Sequence, residues 1–432
     1  MDGTLKSGSI LVSVSGNRYT VHKLLGAGSQ GEVYSVSDGK KTYALKWYFR
    51  NMATPNQKAI LENLITIPSP DGSFLWPLDL VIQKENMFGY IMNIRTPEYK
   101  NIVDMLKRKA EPSFYALCRL AFNLTKGYQK LHSIGYCYRD INFGNAFFNP
   151  DTGNVLICDN DNVSVNGMDN SNVYGTPRFM APEIVVGKAK PSRNTDLFSL
   201  AVLLFYMFML NHPLEGKREA SIKCMDIFAM EELFGHHPVF IFDPEDKSNR
   251  PVRGIHDNAL IFWDLYPQRL RDQFTNVFTV GLKNPARRVT ENKWMETFAN
   301  MMGQIITCPH CGAEIFLDEN KEKLGVAHTC WNCQQVVEVP VSIVFDKYRV
   351  LINQNTKLYP NHLLGNGDID TVIGSVSINP NNPQLWGIRN ESSENWTYIK
   401  ADGTQIPIAP GRSAAIVKGA KINFGQFIGE FK

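Results

Sequence analysis

One stretch limits what this chain can be more than any other: Tyr138–Asp161, YRDINFGNAFFNPDTGNVLICDND. Asp140 and Asn145 are separated by four residues, and Asp159 follows at the end of the apolar run Val155–Cys158. Asn145–Phe148 and Val155–Cys158 read as the strands of a β-hairpin turned by Pro150-Asp151-Thr152-Gly153. Three oxygen-bearing side chains then stand on two short loops around that hairpin. Such a set suits holding divalent cations and orienting a hydroxyl nucleophile for phosphoryl transfer. A hairpin with solvated turn carboxylates is the plainer alternative.

At 432 residues the chain is too long for one ordinary core, so two to four domains are expected. Its 44% apolar and 20% charged content fit a soluble globular protein. A formal charge of +3 gives no electrostatic argument for nucleic acid or an anionic membrane. The opening MDGTLKSGS has no apolar signal core, and the longest apolar run, Leu197–Leu210, is too short to span a bilayer and reads as a buried helix. Cys118, Cys137, Cys158 and Cys224 are scattered singly, whereas the other four cysteines form two CxxC pairs. In a reducing compartment such pairs mean metal before disulfide, and a cytoplasmic location is expected.

Taken in order, Tyr19–Lys46 alternates like paired strands around a glycine-rich turn, Gly26-x-Gly28-x-x-Gly31-x-Val33. A dinucleotide fingerprint needs a helix after its last glycine; here Glu32–Val36 continues as strand, which favours a hairpin flap over a nucleotide triphosphate. A plain β-hairpin with glycines for its turn is the alternative. Tyr43–Lys46 is an apolar strand ending on a lysine, which is costly to bury unless it meets a carboxylate or phosphate. Thr54-Pro55 reads as the start of a helix over Asn56–Ile65, with Ile60 and Leu64 on one face and Glu62 as its only acid. Glu62 is the expected partner of Lys46; an exposed Glu62 is the alternative.

These segments resemble the ordered signature set of the eukaryotic-type protein kinases, of the serine/threonine kind. Gly175–Glu183, GTPRFMAPE, is similar to the end of that family's activation segment, and Asp196–Leu200 opens its buried central helix. Asn284–Thr290 is similar to its late arginine motif, which implies that Arg288 pairs with Glu183. The resemblance implies a bilobal α+β protein kinase fold over residues 1–302, with a small lobe to about 92 and a large lobe from about 96. It implies that Lys46, held by Glu62, binds the α/β-phosphates of ATP, and that Asp140 accepts the proton of the substrate hydroxyl. Asn145 and Asp159 would hold Mg²⁺ or Mn²⁺, and the glycine loop Gly26, Gly28, Gly31 with Val33 would cover the phosphates. Met92 would back the adenine pocket, with Asn93–Arg95, Ile94 among them, as its hinge. Thr176 matches the position that contacts the catalytic Asp in Ser/Thr kinases.

Three departures from the family pattern stand out. Tyr138 replaces a His without removing a catalytic group. Asn142 replaces a lysine that neutralises the γ-phosphate, a loss of charge expected to cost several kcal/mol at the transition state. Asp159-Asn160-Asp161 replaces Asp-Phe-Gly, so the packing aromatic and flexible glycine are gone, and Asp161 is either an extra metal ligand or solvated. Ser164, Ser171 and Thr176 are candidate phosphosites, with Arg139 the implied receiver of an activating phosphate; packing or Asp169 would otherwise order that loop. The aromatic-rich stretch from Pro213 to Asp272 reads as an elaboration of the large lobe.

Cys308-x-x-Cys311 and Cys330-x-x-Cys333 are eighteen residues apart, within the spacing of a structural, closed zinc ribbon over residues 303–339. Nearby Lys and Glu/Asp residues nearly cancel, so no basic stripe supports nucleic-acid binding. Residues 340–432 alternate short strand-like runs (Val341–Phe345, Val372–Ile378, Ala414–Val417) with Gly, Asn and Pro turns. They read as an all-β sandwich that looks like a diverged forkhead-associated domain. The arrangement is similar to bacterial kinase-like proteins associated with a von Willebrand A-type protein and a PPM-type phosphatase, which implies those partners beside protein substrates, with no nucleic acid and no membrane. The expected function is a Ser/Thr protein kinase; a pseudokinase scaffold binding nucleotide without transfer is the alternative.

Overall fold

The computed structural model describes residues 3–167 and 174–432. Ser171 and Asp169 lie outside the described residues. The chain divides into two compact units, one of residues 1–112, 123–259 and 274–289, the other of 113–122, 260–273 and 290–432.

The first unit begins with six antiparallel strands: β1 (Ile10–Val12), β2 (Arg18–Ala27), β3 (Gly31–Ser37), β4 (Thr42–Tyr48), β5 (Asp79–Lys84) and β6 (Met87–Asn93), in the order β1-β2-β3-β4-β6-β5. Alternation along β4 separates its side chains. Leu45 and Trp47 join one core with Tyr34, Val36 and Ile91, whereas Ala44 and Tyr48 join a second with Leu61, Phe88, Tyr90 and Met92. Lys46 falls between Ala44 and Tyr48 and so shares the second face. The helix α1 (Pro55–Leu64) covers it, starting as expected: Thr54 Oγ1 accepts from the Gln57 amide and Pro55 occupies the first turn.

The hairpin of the opening stretch forms at Ala146–Phe148 and Val155–Ile157, paired Val155 with Phe148 and Ile157 with Ala146. It is tied to the small lobe where the Leu75 amide donates to Ile157 O and the Ile157 amide to Ser73 O, both 2.8 Å. The helix Arg193–Met209 is buried along most of its length. A reciprocal bond pair between Ser192 and Thr195 starts this helix, and Leu210 in a left-handed conformation (φ 50°) ends it. Within the elaborated stretch, buried Asn249 donates to Leu214 O and Val239 O, and Phe240 packs on Phe205 and Phe278, so this part of the insertion serves the core.

The second unit holds the helix Glu291–Gly303 and two short hairpins, Ile305–Thr307 with Glu314–Phe316 and His328–Thr329 with Val336–Val337. Two further sheets follow. Six strands run in the order Arg349–Leu351, Ser342–Val344, Ile428–Phe431, Lys421–Asn423, Trp396–Ile399, Gln405–Ile408; four run Lys357–Leu358, Gly374–Asn379, Asn382–Asn390, Ser413–Ala415. The expected strand runs at 341–345, 372–378 and 414–417 thus lie on or beside observed strands. Among the described residues no helix is long and apolar enough to cross a membrane.

Candidate active site and metal centre

Lys46 is 5% exposed, and its charge must be met within the fold. The carboxylate that meets it is not Glu62. Lys46 Nζ lies 3.0 and 2.9 Å from the two oxygens of Asp161 and 3.2 Å from Asp159 Oδ1. Asp161, 1% exposed, also accepts from Tyr48 Oη at 2.5 Å and Tyr90 Oη at 3.2 Å, so it is neither solvated nor aimed at the cleft. Glu62 stands half-exposed beside Lys58, 3.6 Å away in the next turn. The reason is helical phase. Leu61 and Leu64 are buried, and Gln57, one turn before Leu61, reaches Tyr48 Oη and the Asp161 carboxylate through Nε2. Glu62 lies about 100° round the helix from Leu61 and faces away.

Around Asp140 the polar groups close into a set. Thr176 Oγ1 donates to Asp140 Oδ1 at 2.5 Å, and Asn145 Nδ2 donates to Asp140 Oδ2 at 3.1 Å and to its carbonyl at 3.0 Å. Asn142 donates from Nδ2 to Thr176 Oγ1 and to Asp140 O, both 3.0 Å, while its Oδ1 accepts the Gly144 amide. The asparagine that replaces a lysine therefore ties Thr176 to the loop as a neutral donor. The loop itself hangs on Asp196, whose oxygens accept the amides of Tyr138 and Arg139. Arg139, with φ 70° and 6% exposed, donates to Asn162 O. Arg288 grips Glu183 with two bonds of 2.7 and 2.8 Å and stacks over Phe198.

Asp159 adopts a left-handed backbone (φ 52°, ψ 43°), and its side chain keeps about two-fifths of its exposure. Burial raises its pKa, Lys46 opposes the rise and the Asp161 carboxylate adds to it. Burial also acts against ionised Asp161, but Lys46 and the Tyr48 hydroxyl outweigh it and hold that carboxyl below the usual range. Because Asn145 spends its amide nitrogen on Asp140, its Oδ1 is the atom left to join Asp159 in an all-oxygen set. That is the chemistry magnesium takes.

The glycine loop joins β2 to β3. A Cβ on Gly31 would sit 2.2 Å from Trp47 O, so this position must be glycine for the loop to lie on β4; at Gly26 and Gly28 a Cβ would meet nothing. At the loop's tip Gln30 Oε1 accepts from Lys46 Nζ at 2.9 Å. Val33, Ile94 and Leu156 are half-buried members of the cluster that holds Ala44 and Met92, an apolar wall from both lobes. Gln30, Tyr48, Gln57, Tyr90, Ala44 and Leu156 were not singled out from the sequence. Only the alternation of β4, which puts Tyr48 on the face of Lys46, carried a signal for one of them.

The four paired cysteines do converge. Their sulfurs lie within 4.8 Å of one another, with Cys308–Cys333 at 3.7 Å and Cys311–Cys330 at 3.6 Å. A tetrahedron with Zn–S of about 2.3 Å has edges of about 3.8 Å, so the set fits zinc. Each knuckle turns through a left-handed residue, Gly312 (φ 75°) and Gln334 (φ 60°). The Ala313 amide draws the Cys311 thiol down to about 6; Cys333 rises to about 12 against the pull of the Gln335 amide, because of burial and the neighbouring sulfurs. All eight cysteines are free thiols.

Comparison with known proteins bears on the family. Rat protein kinase C delta type is 28% identical over 215 residues, which is 47% of this chain and 31% of that protein. A probable serine/threonine-protein kinase of maize, CCRP1, is 27% identical over 206 residues, 46% of this chain and 32% of the relative. Protein kinase C-like 1 of Candida albicans is 31% identical over 155 residues, 34% of this chain and 13% of the relative. The chain thus spans about a third or less of the length of these relatives. The family model described as protein kinase domain matches residues 19–296, more than half of the 432. By that match, and by six signature segments in their expected order, the chain belongs to the protein kinase family.

Proposed function

We propose that this chain is an ATP- and Mg²⁺-dependent protein serine/threonine kinase. The observation that carries the reading is the set of bonds that fixes Asp140 between Thr176 and Asn145, with Asn142 closing it. Asp140, so held, takes the proton of a serine or threonine hydroxyl. Asn145 and Asp159 are the residues to hold Mg²⁺ or Mn²⁺, and Lys46 orients the α/β-phosphates. The amides of Gly28–Gly31 cover those phosphates, and Val33, Met92 and Ile94 wall the adenine. Mg·ATP supplies the phosphoryl group and the charge that offsets its oxygens when bound. Thr176, bonded to Asp140, supports hydroxyls of the Ser/Thr type over tyrosine. Glu62 has no part in this reading.

The cysteine set takes a structural Zn²⁺. Residues 303–339 and 340–432 act as a ribbon and a forkhead-associated-like module that target the kinase, residues 1–302, to partners. By resemblance those partners are a von Willebrand A-type protein and a PPM-type phosphatase in a bacterial, cytoplasmic signalling system, without nucleic acid.

The test is transfer of labelled phosphate from ATP with and without Mg²⁺. Parent protein is expected to incorporate label only with the metal, and Asp140→Asn and Asp159→Ala to lose at least about a hundredfold. Equal incorporation by Asp159→Ala sinks the metal assignment. Stabilisation by nucleotide with no turnover on any partner favours the scaffold instead.

A further inference from the structure

In the family pattern the phosphate-binding lysine is held by a glutamate of the helix beside it. Here that helix offers Gln57 to the lysine's surroundings and turns Glu62 outward. We propose that Asp161, carried by the magnesium loop itself, is the positioning residue for Lys46. This deepens the kinase reading and rests on it for its functional meaning.

Four observations point the same way. Both oxygens of Asp161 lie within 3.0 Å of Lys46 Nζ, closer than any other carboxylate oxygen bonded to it. The sheet register sets Tyr90 of β6 opposite Lys46 of β4, and Tyr48 lies two residues along on the same face. The two hydroxyls therefore converge on the remaining lone pairs of Asp161, and a buried carboxylate is left without an unmet acceptor. Buried Asn160 donates from Nδ2 to Ile157 O and closes the turn that swings Asp161 under the sheet. Lastly, the family pattern has glycine where Asp161 stands, a residue that cannot supply a carboxylate. The substitution at 161 and the outward Glu62 are thus two halves of one exchange.

Two carboxylates of one loop then straddle one ammonium. Asp159 keeps about two-fifths of its side-chain exposure, whereas Asp161 is buried. Lys46 is bridged to the metal-binding side chain through a short turn, with α1 contributing only a neutral amide.

The experiment uses the full chain and reads the lysine directly. An amine-acylating reagent is applied without nucleotide, and the labelling rate of each lysine is followed by mass spectrometry. Calorimetry gives the Mg·ATP dissociation constant, and phosphate transfer is assayed in parallel. Asp161→Asn is expected to speed labelling of Lys46 by about tenfold or more, leave the surface Lys58 unchanged and weaken Mg·ATP binding by about tenfold, the scale of one charge-assisted bond. Glu62→Gln is expected to change neither. Gln57→Glu added to Asp161→Asn returns a carboxylate from the helix side and restores slow labelling of Lys46. If Asp161→Asn loosens the whole lobe, Lys58 and Lys46 both speed up, and rescue by Gln57→Glu decides for the proposal or against it. Unchanged Lys46 labelling in Asp161→Asn, or faster labelling in Glu62→Gln, overturns it. Should the parent transfer no phosphate while labelling follows Asp161, the kinase reading fails and the positioning role stands.

Discussion

The lysine centre and the cysteine centre each gather like-charged or hard-to-bury groups from distant parts of the chain, and they settle the resulting charge in opposite ways. At Lys46 the counter-charge is built in. Asp161 and two tyrosine hydroxyls complete it, so the small lobe packs with its own ion already neutralised. At the knuckles four sulfurs face one another within 4.8 Å with no cation of the protein among them. The first arrangement belongs to the sheet and needs only folding; the second has the donor set for an ion from outside, beside a small apolar cluster of Ile306, Ile315, Leu317, Val337 and Leu351.

The contrast breaks most visibly if metal is withdrawn. A strong chelator is expected to release one zinc per chain and to unprotect the amides of residues 305–337 in hydrogen exchange, since structural zinc contributes about 10 kcal/mol or more in small domains. Residues 10–93 should stay protected. Persistence of the knuckle amides without zinc would mean that this centre, too, is self-sufficient.

A smaller effect tests the other half. Asp161→Ala leaves a buried lysine with only Asp159 and Gln30 as acceptors and is expected to cost about 3 kcal/mol in denaturant unfolding. Replacing both partners, Lys46→Met with Asp161→Leu, should recover part of that loss, because the charge disappears while Tyr48 and Tyr90 lose their acceptor. No recovery would show that the hydroxyls, rather than the ion pair, hold the face together. Arg288→Ala should cost no more than that, since Glu183 keeps some contact with water.

The smallest effect sharpens the distinction within the lobe. Glu62→Ala removes only an exposed pair with Lys58 and should shift stability by less than about 0.5 kcal/mol. A loss of several kcal/mol would place Glu62 in the lysine centre after all.

Much of the active site was legible in the chain because its chemistry is local. The hairpin holding Asn145 and Asp159 follows from two apolar runs and a Pro-Asp-Thr-Gly turn, and the knuckles follow from CxxC spacing. The partner of Lys46 was not legible, because it depends on the phase of a ten-residue helix. Ile60 and Leu64 suggest one face, but the buried pair is Leu61 and Leu64, and a rotation of about 100° per residue decides whether a glutamate or a glutamine looks inward. Asp161 likewise carries no sign of its destination. Only the register of β4 against β6 brings two tyrosines within reach of it.

The short turn Asn160–Asn162 has a mechanical consequence. Where a lysine is tethered to a helix, swinging the helix is a switch, and the catalytic loop can be left idle by moving a distant element. Here the tether and Asp159, the carboxylate proposed to meet the cation, are two residues apart on one short turn, so a movement of that turn displaces both. A displacement of α1 alone would withdraw the neutral Gln57 amide from Asp161 but neither carboxylate that meets Lys46. A signal that moved the lysine by way of this turn would carry Asp159 away with it.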